Sequence, residues 1–299
     1  MLQDFLDLGI DSFNTPVDGK KCKKLVDEVY SITNAENLFL DESEYSGKIG
    51  LKNANPQSGF NNLAETFDLS FIEEHPEFSK TMTELLGNNY SIVLKKFVFG
   101  VPTNWMPNWV KRETNDAPVA NLAAFIKPEF RNITYFHGID FHQDVIDWKN
   151  TQPDFITLYV YLEDVDMKMS PLSVVSKSHV LGATVFPHKI SMLSSDQLKY
   201  DDERGNSDIL NYKFLIGKAG SINYWSALTL HGTQPTETVT DKPRISLRYL
   251  IKKDSSTNNT VLDKFLKTVK GPLMLSETRK HLDKDGRAIL SGNTINKSK

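Results

Sequence analysis

Apolar residues in this chain follow two different periods. In DGKKCKKLVDEVYSI (18–32), Cys22, Leu25, Val26 and Val29 recur at three- and four-residue spacing, which predicts an amphipathic helix capped by Asp18. Phe71, Ile72, Phe78, Met82, Leu85 and Leu86 repeat in the same way and predict a second helix over about 70–86, stopped by Gly87-Asn88-Asn89. Residues 40–62, rich in Ser, Asn, Gly and Asp, read as a long loop. From residue 91 the period shortens. SIVLKKFVFG (91–100), NLAAFIKP (121–128), ITYFHGIDFHQD (133–144), FITLYVYLED (155–164), SVVSKSH (173–179), GSINYW (220–225) and PRISLRYLI (243–251) are short, β-branched and aromatic, and predict strands between turns. Helical spacing returns at 261–270 and about 273–281.

That order predicts a mainly β fold with flanking helices, a double-stranded β-helix (a jelly roll, cupin-like). One catalytic domain over 1–299 accommodates it, with the β-helix core at about 90–252, a helical N-terminal flank at about 1–89 and a helical C-terminal tail at about 253–299.

Composition narrows the class of function. Hydrophobic residues at 39% and charged residues at 24% are ordinary for a folded domain. A net charge of -3 and a pI near 6.2 provide no basic footprint, so nucleic acid is not an expected partner. No apolar run approaches the roughly 18 to 20 residues that span a bilayer, and the opening MLQDFLDLGIDSF carries acids where a signal peptide carries bases. The expectation is a cytoplasmic protein with a small-molecule substrate and no membrane partner. The lone Cys22 excludes an intramolecular disulfide and any cysteine-based zinc site.

The chemistry concentrates in Phe141-His142-Gln143-Asp144 and in Leu230-His231-Gly232. Strand alternation points residues i and i+2 to one face, so His142 and Asp144 can reach one ion, with His231 from a neighbouring strand as the third ligand. Two histidines and a carboxylate form a facial triad that leaves coordination positions open, the pattern of non-haem Fe(II) oxygenases. A closed structural zinc site lacks such openings. Thirteen residues beyond His231 stands Arg244, on a run where Arg244, Ser246 and Arg248 share a face. A guanidinium fork beside a hydroxyl suits the distal carboxylate of 2-oxoglutarate, with Arg248 as the substitute anchor. H-x-D alone is a weak signal in a chain with seven His. Two other readings stand beside this one: a non-catalytic jelly-roll binding protein, and a cupin-type metal-dependent hydrolase or isomerase, for which a further His is expected.

In order, these motifs resemble the phytanoyl-CoA dioxygenase family over roughly 92–251. F-H-x-D is followed by an aromatic, here Trp148; the later H-G-T and P-R are His231-Gly232-Thr233 and Pro243-Arg244; and Tyr161-Leu162-Glu163-Asp164, Ser170-Pro171-Leu172 and Val174 to His179 stand between them. Lys177 replaces the usual glycine and Ser170 the usual Asn or Gly, which bears on local turn geometry and not on the metal. The resemblance implies a dioxygenase that uses Fe(II), 2-oxoglutarate and O2, hydroxylates its substrate and releases succinate and CO2. Because Asp144 keeps the carboxylate, halogenation is disfavoured, whereas desaturation, ring closure and demethylation stay open. It also implies a polar residue near the cosubstrate at Asn121. Thr157 is a further candidate, since one of the sets Thr157, Tyr159, Tyr161 and Ile156, Leu158, Val160 must face the barrel interior. His137, Asp140 and Trp148 are candidates for the substrate pocket, and His179 reads as structural. Trp105, Met106, Pro107 and Trp109 form an insertion that fits either a lid or a packed loop.

Overall fold

Alternation along the strands decides which residues face the helices and which face the interior of the jelly roll. A computed structural model describes residues 2–33, 37–46, 63–115, 117, 119–147, 150–233 and 243–280. Its strands are β1 (Ile10–Ser12), β2 (Tyr90–Gly100), β3 (Val119–Asn121), β4 (Thr134–His142), β5 (Phe155–Tyr161), β6 (Leu172–Val175), β7 (Lys189–Met192), β8 (Gln197–Asp201), β9 (Ser207–Leu215), β10 (Ile222–Ser226), β11 (His231–Thr233) and β12 (Arg244–Lys253). Among the described residues they pair in the order β1-β10-β5-β12-β2-β4-β11-β6-β9-β8-β7, with β3 added to β4. The path curls over on itself. Thr157 on β5, Trp225 on β10 and Arg248 on β12 all bond Asp144, which follows β4 on the other half of the path.

The helices are α1 (Gln3–Leu8), α2 (Gly19–Ile32), α3 (Glu42–Ser46), α4 (Ser70–Glu73), α5 (Pro76–Leu86), α6 (Asn108–Thr114) and α7 (Val261–Leu266). One face of the central strands packs beneath them. Phe97 and Phe99 of β2, Leu247 and Tyr249 of β12, and Ile156, Leu158 and Val160 of β5 form a single buried core with Leu25, Val26 and Val29 of α2 and Phe78, Met82 and Leu85 of α5. The alternate positions, Lys96, Val98, Thr157, Tyr159, Arg244, Ser246 and Arg248, are left for the interior. No helix among the described residues is long and apolar enough to cross a membrane.

Several expectations need correction. The helix expected over 70–86 is two helices, because Pro76 starts α5 and His75 caps it, its Nδ1 accepting the N–H of Glu77 at 3.3 Å. The strand expected over 121–128 stops at Asn121, whose side-chain oxygen accepts the N–H of Ala123 at 3.0 Å and turns the chain into a 3-10 turn, Ala123–Phe125. The stretch 273–280 is not helical but is tied to the body: Phe186 N–H donates to Thr278 C=O at 2.9 Å and Lys280 N–H to Phe186 C=O at 2.7 Å. The N-terminal flank contributes β1, paired to β10, and so is not purely helical. The loop expected over 40–62 opens with α3, and 47–62 lie outside the described residues. The Trp105 to Trp109 insertion is packed: Met106 and Trp109 are buried, and Trp109 lies 5.0 Å from Tyr45 and 5.6 Å from Phe125, centroid to centroid.

Both departures from the family pattern fall on left-handed backbone. Lys177 has φ 63° and Ser170 φ 51°, a region where glycine carries no Cβ penalty. Lys177→Gly is therefore expected to raise unfolding free energy by up to about 1 kcal/mol, the relief of the strain less glycine's entropic cost. Urea denaturation checks this; a loss of stability would mean the lysine side chain contributes more than the turn costs.

Candidate metal centre

His142 ends β4 and His231 begins β11, and the two are direct cross-strand partners. Each ring has its Nδ1 3.0 Å from a backbone carbonyl, Asp140 for His142 and Thr229 for His231. A carbonyl only accepts, so both Nδ1 atoms carry the proton and both Nε2 lone pairs are left for a metal. Burial, and for His142 the neighbouring His231 as well, holds these imidazoles below their ordinary pKa and keeps them neutral, the form that ligates. Gly232 allows this approach: a Cβ there would lie 2.9 Å from the Ile139 carbonyl oxygen on β4.

Asp144 does not extend the strand. It opens a 3-10 turn, Asp144–Asp147, so the sequence reading of two ligands on one strand face holds for His142 alone. The turn is pinned by Gln143, fully buried, whose amide donates to Gly182 C=O at 2.9 Å and Leu228 C=O at 2.8 Å and whose oxygen accepts the N–H of Thr184 at 3.0 Å. The result still brings the three side chains together. One donor atom from each of His142, Asp144 and His231 lies within 4.8 Å of the others, and all three residues are buried.

Three side chains hold the carboxylate. Thr157 Oγ1 donates to Asp144 Oδ2 at 2.6 Å and Trp225 Nε1 donates to the same oxygen at 3.2 Å, while Arg248 pairs with Oδ1. Burial opposes ionisation of Asp144, but Arg248, with the hydrogen bond from Thr157, outweighs it and holds the carboxyl below the usual range. Thr157 thus touches the metal ligand. Thr157→Val keeps the shape and removes the bond, and is expected to lower divalent-metal affinity about 10- to 100-fold. Anaerobic competition with a chelator measures it; unchanged affinity would show that Trp225 suffices.

A cavity opens beside the two histidines, lined among others by Lys96, Tyr159, Leu172, Arg244, Arg248 and Arg279. Arg244 is buried and donates from one terminal nitrogen to Ser170 C=O, while its Nε has no hydrogen-bond partner among the described residues. Ser246, fully buried in the same row behind the residues that line the cavity, has a hydroxyl likewise without a partner among them. Gly100 pairs with Arg244 across the strands and brings no side chain against the guanidinium.

Other candidates lie elsewhere. Asn121 turns its side chain to Ala123 and does not line the cavity. His137 is bonded through Nδ1 to Val101 C=O at 3.0 Å, and neither it nor the buried Asp140 lines the cavity. Trp148 lies outside the described residues. His179 is buried, its ring 4.4 Å from that of Phe265, and burial pushes it down to about 4. Sequence reasoning missed Gln143, Trp225, Lys96 and Arg279. Lys96 had a signal, a cation in phase with Val98 on an apolar strand; Arg279, on an aperiodic stretch, had none.

No protein-family model matches the sequence, and no curated protein matches it. Solved structures do. The epimerase SnoN, in complex with Fe3+, alpha ketoglutarate and nogalamycin RO, is 13% identical, with 96% of each chain covered and a TM-score of 0.50. EctD from S. alaskensis with bound Fe is 13% identical over 93% of this chain and 85% of its own, with a TM-score of 0.47. The non-heme monooxygenase ThoJ is 14% identical over 84% and 76%, with a TM-score of 0.45. The likeness to SnoN shows that the two chains share a fold, a jelly roll.

Proposed function

We propose that this chain is a non-haem Fe(II), 2-oxoglutarate-dependent oxygenase of the phytanoyl-CoA dioxygenase type, acting in the cytoplasm on a small biosynthetic metabolite and hydroxylating it with release of succinate and CO2. One observation carries this reading. Beside three neutral or anionic donors suited to iron, Arg244 and Ser246 present buried donors that a carboxylate would satisfy, and burying unpaired polar atoms without a ligand is costly. His142, Asp144 and His231 fit the ion in kind and protonation state. When bound, iron with 2-oxoglutarate and O2 supplies the oxidising power for attack on a C–H bond.

The protein's own residues do the rest. The two histidines offer Nε2 because backbone carbonyls occupy Nδ1, Thr157 and Trp225 orient the carboxylate, and Arg244 with Ser246 orients the cosubstrate through its distal carboxylate. Tyr159 and Leu172 line the same cavity. A non-catalytic jelly roll leaves Arg244 and Ser246 without a purpose, and no third histidine joins the ligand group among the described residues, as a cupin-type hydrolase or isomerase would want. The test is conversion of 2-oxoglutarate to succinate in air: turnover that needs Fe(II), even slow and without the primary substrate, supports the reading, and none with any metal-loaded preparation or metabolite pool overturns it.

A further inference from the structure

The cavity is richer in positive charge than its proposed cargo requires. Lys96, Arg244, Arg248 and Arg279 line it, against one lining carboxylate, Asp147, and the Asp144 carboxylate that Arg248 holds. Arg279 is paired with Asp147. Lys96 has no carboxylate within ion-pair distance among the described residues, although burial and the adjacent Arg248 push it down to about 8. Four cations against two carboxylates leave a surplus of two. A divalent ion adds two positive charges and 2-oxoglutarate removes two, so the loaded site keeps the same surplus in a low-dielectric interior, where uncompensated charge is unfavourable.

Arg279 is not a loose surface cation. Its segment is strapped to the body by the Phe186 backbone bonds, Thr278 Oγ1 donates to Ile146 C=O at 3.1 Å, and Arg279 Nε donates to the same carbonyl at 3.1 Å. The side chain is only 15% exposed. This cation comes from a segment far along the chain from β2, yet it lines the same cavity as Lys96, so the two can share one anionic group.

We propose that the primary substrate carries an anionic group, a carboxylate or a phosphate, that docks on Lys96 and Arg279. The inference rests on the 2-oxoglutarate reading, because one of the cations is assigned there to the cosubstrate. Protein loaded with Mn(II) and saturating 2-oxoglutarate is titrated with inorganic phosphate, and the paramagnetic enhancement of 31P relaxation reports phosphate near the metal. Wild type is expected to give a saturable enhancement. Lys96→Gln and Arg279→Gln are each expected to weaken phosphate binding at least about tenfold, while Arg279→Lys, which keeps the charge but not the fork, is expected to lose less than Arg279→Gln. Displacement of phosphate by acetate at comparable concentration marks a carboxylate substrate, and its failure a phosphorylated one. No saturable enhancement in wild type, or equal enhancement in both glutamine variants, overturns the proposal. Calorimetric titration of 2-oxoglutarate into the same Mn(II) protein separates the two readings: binding without a phosphate site sinks only this inference, and no binding sinks the functional reading beneath it.

Discussion

Alanine at His142, Asp144 or His231 is expected to lower Fe(II) affinity by more than about a hundredfold, because losing a ligand costs more than losing a group that merely orients one, itself worth about 10- to 100-fold. The three variants should differ in stability. Asp144→Ala leaves Arg248 buried without its carboxylate, and breaking a buried pair from one side costs about 3 to 5 kcal/mol. His231→Ala removes a neutral ring and carries no such charge penalty. Asp144→Ala combined with Arg248→Met should recover most of the lost stability while leaving iron unbound. Anaerobic iron titration and urea denaturation measure the two effects. Stoichiometric iron in both Asp144→Ala and His231→Ala would remove the triad from the account.

Arg244→Ala is expected to leave metal binding near wild type while weakening 2-oxoglutarate binding roughly thirtyfold to several-thousandfold, the equivalent of about 2 to 5 kcal/mol for truncating one partner of a desolvated charge pair. Arg244→Lys should rescue little, since an ammonium keeps the charge and loses the fork. Arg248→Ala should behave differently. Its guanidinium is already committed to Asp144, so its loss should act on the metal site before the cosubstrate. Calorimetry of 2-oxoglutarate into Mn(II)-loaded variants compares them. A large loss in Arg248→Ala with none in Arg244→Ala would move the anchor four residues along β12.

Much of this was legible in the chain because strands that line a barrel must alternate. β2, β5 and β12 follow that rule, and the row Arg244, Ser246, Arg248 could be read straight from it. Side-chain turn chemistry was harder. Asn121 ends a strand by bonding two residues ahead, and Gln143 bends the chain after His142 through three partners far away in sequence, among them Gly182 and Leu228. Neither bond leaves a local period. β7, β8 and β9 were missed because their outer positions are largely polar or charged, and β1 because three residues are too few to show alternation. The three candidate ligands could be picked out by type and order, whereas Thr157 and Trp225 meet Asp144 only when the sheet closes.

The central claim is that iron and 2-oxoglutarate share one site in this chain. Anaerobic addition of Fe(II) followed by 2-oxoglutarate should produce a weak visible charge-transfer absorption that saturates with both, fails to form in His231→Ala, and in Arg244→Ala requires far more 2-oxoglutarate. Absence of that absorption in wild-type protein that holds stoichiometric iron would contradict the account.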